Sequence, residues 1–127
     1  MTEFLFLMRG ADWGRALPPR ECQDELERMM AWVEEMRVAG KLTGGQPLTP
    51  TGRIVSSPRT RNVTDGPFVE SKEEVGGYLL IEANTMEEAV DLAKACPVLQ
   101  HGLRIEVRPI VAQCPLADDL GVDENAG

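Results

Sequence analysis

DGPFVESKEEVGGYLLIEA, residues 65–83, is the stretch on which the reading of this chain turns. It opens on an Asp-Gly dipeptide and a proline, crosses a charged segment, meets a double glycine and runs into aliphatic residues. Asp and Gly favour tight turns, Asp through side-chain bonds to nearby amides and Gly through its freedom at positive φ. Gly66 and Pro67 therefore fix a turn. Gly76 and Gly77 let the backbone pass close to a neighbour before the next strand. GYLLIEA then reads as a buried strand.

Downstream, Thr85-Met86-Glu87-Glu88 has the form of a capping box, in which the hydroxyl and the Glu88 carboxylate satisfy orphan amides reciprocally. Met86, Ala89, Val90 and Ala93 form the inner face of the helix that follows, and Cys96-Pro97 ends it. LRIEVRPI is the last strand, with Leu103, Ile105 and Val107 on one side and Arg104, Glu106 and Arg108 on the other. Upstream, RIVSS and RNVTD are the arms of a hairpin around SPRT, and a short strand is expected at Gln46–Thr49. EFLFLMR, residues 3–9, is an unbroken run that suits a strand buried on both faces. Pro19 suits the first turn of a long helix whose apolar stripe is Cys22, Leu26, Met29, Met30, Val33 and Met36, and Gly40 is its stop.

This order is that of a ferredoxin-like α+β sandwich, βαββαβ with an extra hairpin. Both helices cover one face of an antiparallel sheet. The other face needs a cover as well, and a second copy of the chain supplies it economically, giving a homodimer.

The 127 residues fit one domain, with 43% hydrophobic and 27% charged side chains. No run is long enough to span a bilayer, and the N-terminus lacks the basic region and cleavage site of a signal peptide. The net charge is -8, and four acids (Asp118, Asp119, Asp123 and Glu124) lie in a tail with no Lys or Arg after Arg108. Such a chain repels nucleic acid and anionic membranes. Cys22, Cys96 and Cys114 are odd in number and scattered, which suits a reducing cytoplasm rather than a disulfide framework.

The signature of Asp-Gly-Pro-Phe, Glu70, Lys72-Glu73 and Gly-Gly-Tyr, followed by an acidic helix, Cys-Pro and GLRIEVRPI, resembles the YCII-related proteins, specifically the DGPF-domain group. The resemblance covers roughly residues 3–110 and sets a domain at 1–110 apart from an acidic tail at 111–127. It implies a ferredoxin-like fold that dimerises into an α+β barrel, with a site in the cleft between sheet and partner. It also implies lyase-type chemistry on small organic substrates through a His–Asp pair, in a group whose members tend to occur beside sigma-factor genes.

Asp65 is the candidate catalytic residue, as general base or as orienter of a substrate hydroxyl or amine. The same residue type in Asp-Gly is also what a turn needs. Glu70, Tyr78, Glu106, Arg108 and Arg9 are the candidate substrate-binding residues. Glu70 follows the turn closely enough to fold back on its amides. Glu106 and Arg108 lie two apart on one face of the last strand, where they can hold each other or a small anion, and Arg9 can join them. The histidine of the His–Asp pair belongs to the first helix, which here has none. His101 is expected in an exposed connection and, alone, makes a poor metal ligand set. No nucleophile elbow or phosphate-binding glycine loop is present. No cofactor is implied. The reading is a small-molecule-binding or -transforming protein, and the alternative is a regulatory module working with transcription components.

Overall fold

Alternation in the first strand sets the architecture. The computed structural model describes residues 1–56, 63–66 and 74–122. Its elements run β1 (Thr2–Arg9), α1 (Pro19–Val38), β2 (Leu42–Pro47), β3 (Gly52–Val55), β4 (Val63–Gly66), β5 (Val75–Ala83), α2 (Met86–Lys94), β6 (Arg104–Pro109) and α3 (Pro115–Leu120), with a 3-10 turn at Leu99–His101 before β6. β1 buries Phe4, Phe6 and Met8 on one side and leaves Leu5, Leu7 and Arg9 half-buried on the other. It is an inner strand. β5 pairs with it antiparallel, Phe4 opposite Ile81 and Leu7 opposite Tyr78. β6 pairs along its other edge, with Leu7 opposite Glu106. β2 adds to β5, giving the order β2-β5-β1-β6. That order is the ferredoxin-like one, and β3 and β4 form the expected extra hairpin as a separate two-stranded sheet.

β2 starts at Leu42 rather than at Gln46. Gly44 and Gly45 make this earlier pairing with β5 feasible. Gly45 has a φ of 148°, and a β-carbon there would collide with the Tyr78 carbonyl oxygen. Gly76 does what the sequence suggests: a β-carbon on it would run into that of Ala11 in the β1–α1 loop.

The helices α1 and α2 share the buried side of the sheet. Phe6, Ile81 and Val98 are fully enclosed, among Phe4, Met8, Trp32, Met36, Ala83, Ala89, Ala93, Cys96 and Leu103. The alanines at Ala89 and Ala93 let α2 approach the sheet closely. The α1 stripe is rotated from its expected position. Leu26 and Met30 are 46% and 64% exposed, whereas Glu25, Trp32 and Met36 are buried, with Met29 and Val33 beside them. The large indole takes the centre, and its Nε1–H donates to the Leu92 carbonyl at 3.0 Å, joining the two helices. Thr85 caps α2 by accepting the Glu88 amide at 3.1 Å. The reciprocal half is shifted by one residue: Glu88 Oε2 accepts from the Asn84 amide, while Oε1 meets Lys41 Nζ at 2.7 Å.

Residues 115–120, for which no regular structure was expected, form the short helix α3. Pro115 stands in its first turn and Gly121 closes it at a φ of 70°. Among the described residues no helix is long and apolar enough to cross a membrane.

Candidate functional site

The side of the sheet away from α1 and α2 carries Leu5, Leu7 and Arg9 from β1, Tyr78, Leu80 and Glu82 from β5, and Arg104, Glu106 and Arg108 from β6. The strand period of two dictates this sorting. The register lines up Gln46, Tyr78, Leu7 and Glu106 as one row across four strands. The neighbouring row is Leu80, Leu5 and Arg108. Leucines form an apolar floor, and the polar groups stand along the β6 side of it.

Glu106 is held from two directions. Arg9 Nε donates to its Oε1 at 3.1 Å, and Arg108 Nε lies 3.4 Å from its Oε2. The Arg9 side chain is 20% exposed, Glu106 39% and Arg108 67%. Ion pairs this open contribute little to stability, typically below about 1 kcal/mol. What they fix is geometry. Two guanidinium groups flank one carboxylate beside the leucine floor, with the Tyr78 strand position alongside. That arrangement can take the oxygens of a small anionic or hydroxylated molecule.

Four of the six expected site residues, Arg9, Tyr78, Glu106 and Arg108, therefore share one face. Asp65 stands in β4, opposite Arg53, and its backbone places it on the hairpin rather than on the four-stranded sheet. Glu70 lies outside the described residues, as do Lys72 and Glu73.

The sequence reading missed a second polar group. His101 is not an exposed loop residue. Its Nε2 lies 3.1 Å from Oε2 of Glu25, with side chains only 18% and 9% exposed, and its ring stacks on Trp13 at 5.9 Å. Arg28 approaches the other carboxylate oxygen at 3.5 Å. Burial of an ionised carboxylate is costly unless it is paired, and these contacts satisfy Glu25. The available signal was Glu25 itself, an acid on the line Glu25, Met29, Trp32 and Met36. The group sits at the same end of the sheet as Arg9, because Gly10 packs against the Gly102 carbonyl; a β-carbon on Gly10 would come within 2.9 Å of that oxygen. At this end a concavity of about 210 Å³ opens between Ala11, Asp12, Arg15, Leu48, Glu74 and Gly76.

Among the described residues no group of three or more His, Cys, Asp or Glu side chains could hold a metal ion. Cys96 is buried, and its desolvation pushes the thiol pKa up, so it is a packing residue rather than a nucleophile.

Comparison with known proteins places this geometry in context. The model of the YCII-related domain matches residues 6–113. An uncharacterised protein of Rhizobium meliloti (strain 1021), R00369, is 32% identical over 107 residues, covering 81% of this chain and 83% of its own. Among solved structures, 5-chloro-2-hydroxyhydroquinone dehydrochlorinase from Burkholderia phenoliruptrix AC1100, in complex with 2,5-dihydroxybenzoquinone, superposes with a TM-score of 0.51. The two are 16% identical, and the alignment covers 87% of this chain and 95% of that one, a likeness of fold. A β-sheet with this strand order, a family match across most of its length and a relative of the same extent lead to one conclusion: the chain belongs to the YCII-related family.

Proposed function

We propose that the chain binds a small, oxygen-rich organic molecule on the open face of its sheet and transforms it by lyase-type chemistry, with a second copy closing the cleft. The observation that carries this reading is Glu106 held between Arg9 and Arg108 on a leucine floor. In an elimination, a base takes a proton, the freed electron pair becomes a new double bond by way of charge on the substrate oxygens, and the leaving group departs with the pair of the bond it breaks. Arg9 and Arg108 are the groups to neutralise that charge, and Tyr78 can donate to a ring or carbonyl oxygen. Glu106 or Asp65 is the base, Asp65 being the carboxylate that the family signature supplies. Glu70 would line the mouth. The fold supports this chemistry elsewhere: the dehydrochlorinase above binds a dihydroxybenzoquinone on the same architecture.

Isothermal titration with 2,5-dihydroxybenzoquinone and a panel of hydroxylated aromatic and dicarboxylate compounds tests the reading. Saturable binding is expected, weakened at least tenfold in Arg9→Ala and Arg108→Ala, with circular dichroism unchanged. Binding that survives both substitutions, or no binding by any compound of the panel, would sink it. Asp65→Asn then separates roles: loss of turnover with retained binding marks it as the base.

A further inference from the structure

The C-terminal segment is apolar where a solvated tail should be polar. Ile110, Val111, Leu116, Leu120 and Val122 are 37%, 60%, 63%, 69% and 53% exposed. Leu116 and Leu120 are four apart on α3 and so share a face, with Asp119 bordering it and Asp118 turned towards Gln113. A six-residue helix that presents two leucines to water is a helix without its partner surface.

A matching surface exists elsewhere in the fold. Between α2 and the edge strand β6 runs an apolar groove of about 320 Å³, lined by Val90, Ala93, Leu99, Ile105 and Val107, with Lys94 at its rim. Lys94 is exposed and has no ion-pair partner among the described residues, and the same holds for Asp119. The groove thus offers apolar walls and one unmatched cation. The α3 segment offers an apolar stripe and one unmatched anion.

Within one copy the two stand apart. Ile110 still donates its amide to the Glu3 carbonyl at 2.8 Å, so the backbone leaves β6 along the direction of the strand and away from the groove. α3 lines none of the groove that its own strand borders. We infer that α3 of one copy docks in the α2–β6 groove of a second copy, Leu116 and Leu120 against Leu99, Ile105 and Val107, with Asp119 beside the Lys94 of the partner subunit. Two such contacts related by a two-fold axis are self-complementary. The inference rests on the proposed homodimer and names the segment that clasps it.

The test is zero-length carbodiimide crosslinking of an equimolar mixture of ¹⁴N- and ¹⁵N-labelled full-length chain, read by mass spectrometry. A Lys94–Asp119 linked peptide pair is expected in mixed-isotope form. Only same-isotope pairs, or no such pair, would overturn the exchange. In sedimentation equilibrium, L116D combined with L120D is expected to raise the dimer dissociation constant at least about tenfold, since two desolvated leucines per contact are lost. Lys94→Glu and Asp119→Lys should each weaken the dimer, and the double variant should restore it. All are surface positions, so folding is not at stake. A wild-type dimer that none of these substitutions weakens removes the clasp and leaves the sheet-face dimer standing. A wild-type chain that is monomeric at every concentration removes both.

Discussion

The two faces of the four-stranded sheet come from the same strands and differ in nearly everything else. One face presents Phe4, Phe6, Met8 and Ile81 to two helices and buries all four. The other presents Leu5, Leu7, Tyr78 and Leu80 with Arg9, Glu106 and Arg108, each only part-covered except Arg108, which is exposed. The inner face is a packing problem, solved by volume. The outer face mixes an apolar floor with charges that hold one another, a composition no core would tolerate unpaired.

The sharpest way to break this comparison is paired truncation on β1. Phe6→Ala should cost about 3–5 kcal/mol in urea denaturation, because a fully enclosed ring leaves a cavity behind. Leu7→Ala, one residue along, should cost about 1 kcal/mol in the dilute monomer, where the side chain is already part-solvated. Equal losses at low protein concentration would show that the outer face is as enclosed as the inner. A difference that narrows as concentration rises would locate a partner on it.

A smaller effect is expected where a charge intrudes on the inner side. Glu25→Gln keeps the shape but replaces a carboxylate that His101 and Arg28 approach, and about 1–3 kcal/mol should be lost. Arg108→Ala, on the outer face, should leave the melting temperature nearly unchanged. If the two variants behave alike, the division between structural and functional charge fails. Thr85→Ala should remove about 1 kcal/mol through loss of the cap to the Glu88 amide.

The smallest effect is a pH dependence. The hydrogen bond from Lys41, then that from the Asn84 amide, hold the Glu88 pKa below the ordinary carboxylate value. A carboxylate lowered on folding adds stability above its unfolded pKa, and that stability is lost as pH falls through the folded one. Lys41→Met should therefore shallow the decline of melting temperature with acid below about pH 4.5, and leave its value near neutrality only slightly lower. An unchanged acid limb would show that the pair has no linkage to folding.

Much of the fold was legible because each signal was local. Thr85 before Glu88, glycines before an aliphatic run, and strict alternation in Leu103–Arg108 each state a backbone conformation and a face. From these the ferredoxin-like fold and the shared face of Glu106 and Arg108 on the last strand could be read; the alignment of Tyr78 and Arg9 with them depends on the pairing register, which is not a local signal. The α1 face was misjudged by one position because Leu26 and Met30 are as apolar as Trp32, and periodicity alone cannot tell which apolar line the sheet will accept. The pairing of Glu25 with His101 was hidden for a different reason. It spans 76 residues, and such contacts exist only once β1, α1 and the turn before β6 have met. The run EFLFLMR suggested burial on both faces; the single copy buries Phe4, Phe6 and Met8 and leaves Leu5 and Leu7 part-exposed, a difference that periodicity cannot register.

The placement of the two tryptophans has an optical consequence. Trp32 lies inside the core with its N–H bonded across to α2, so its emission should be blue and should shift only when the helices part from the sheet. Trp13 lies in the β1–α1 loop, face to face with the His101 imidazole, at the end of the sheet where Arg9 meets Glu106. Its fluorescence responds to that ring and to whatever settles nearby. The protein thus carries two intrinsic lamps, one reporting whether the scaffold is assembled and one reporting on the end of the sheet beside the open face, readable without a label.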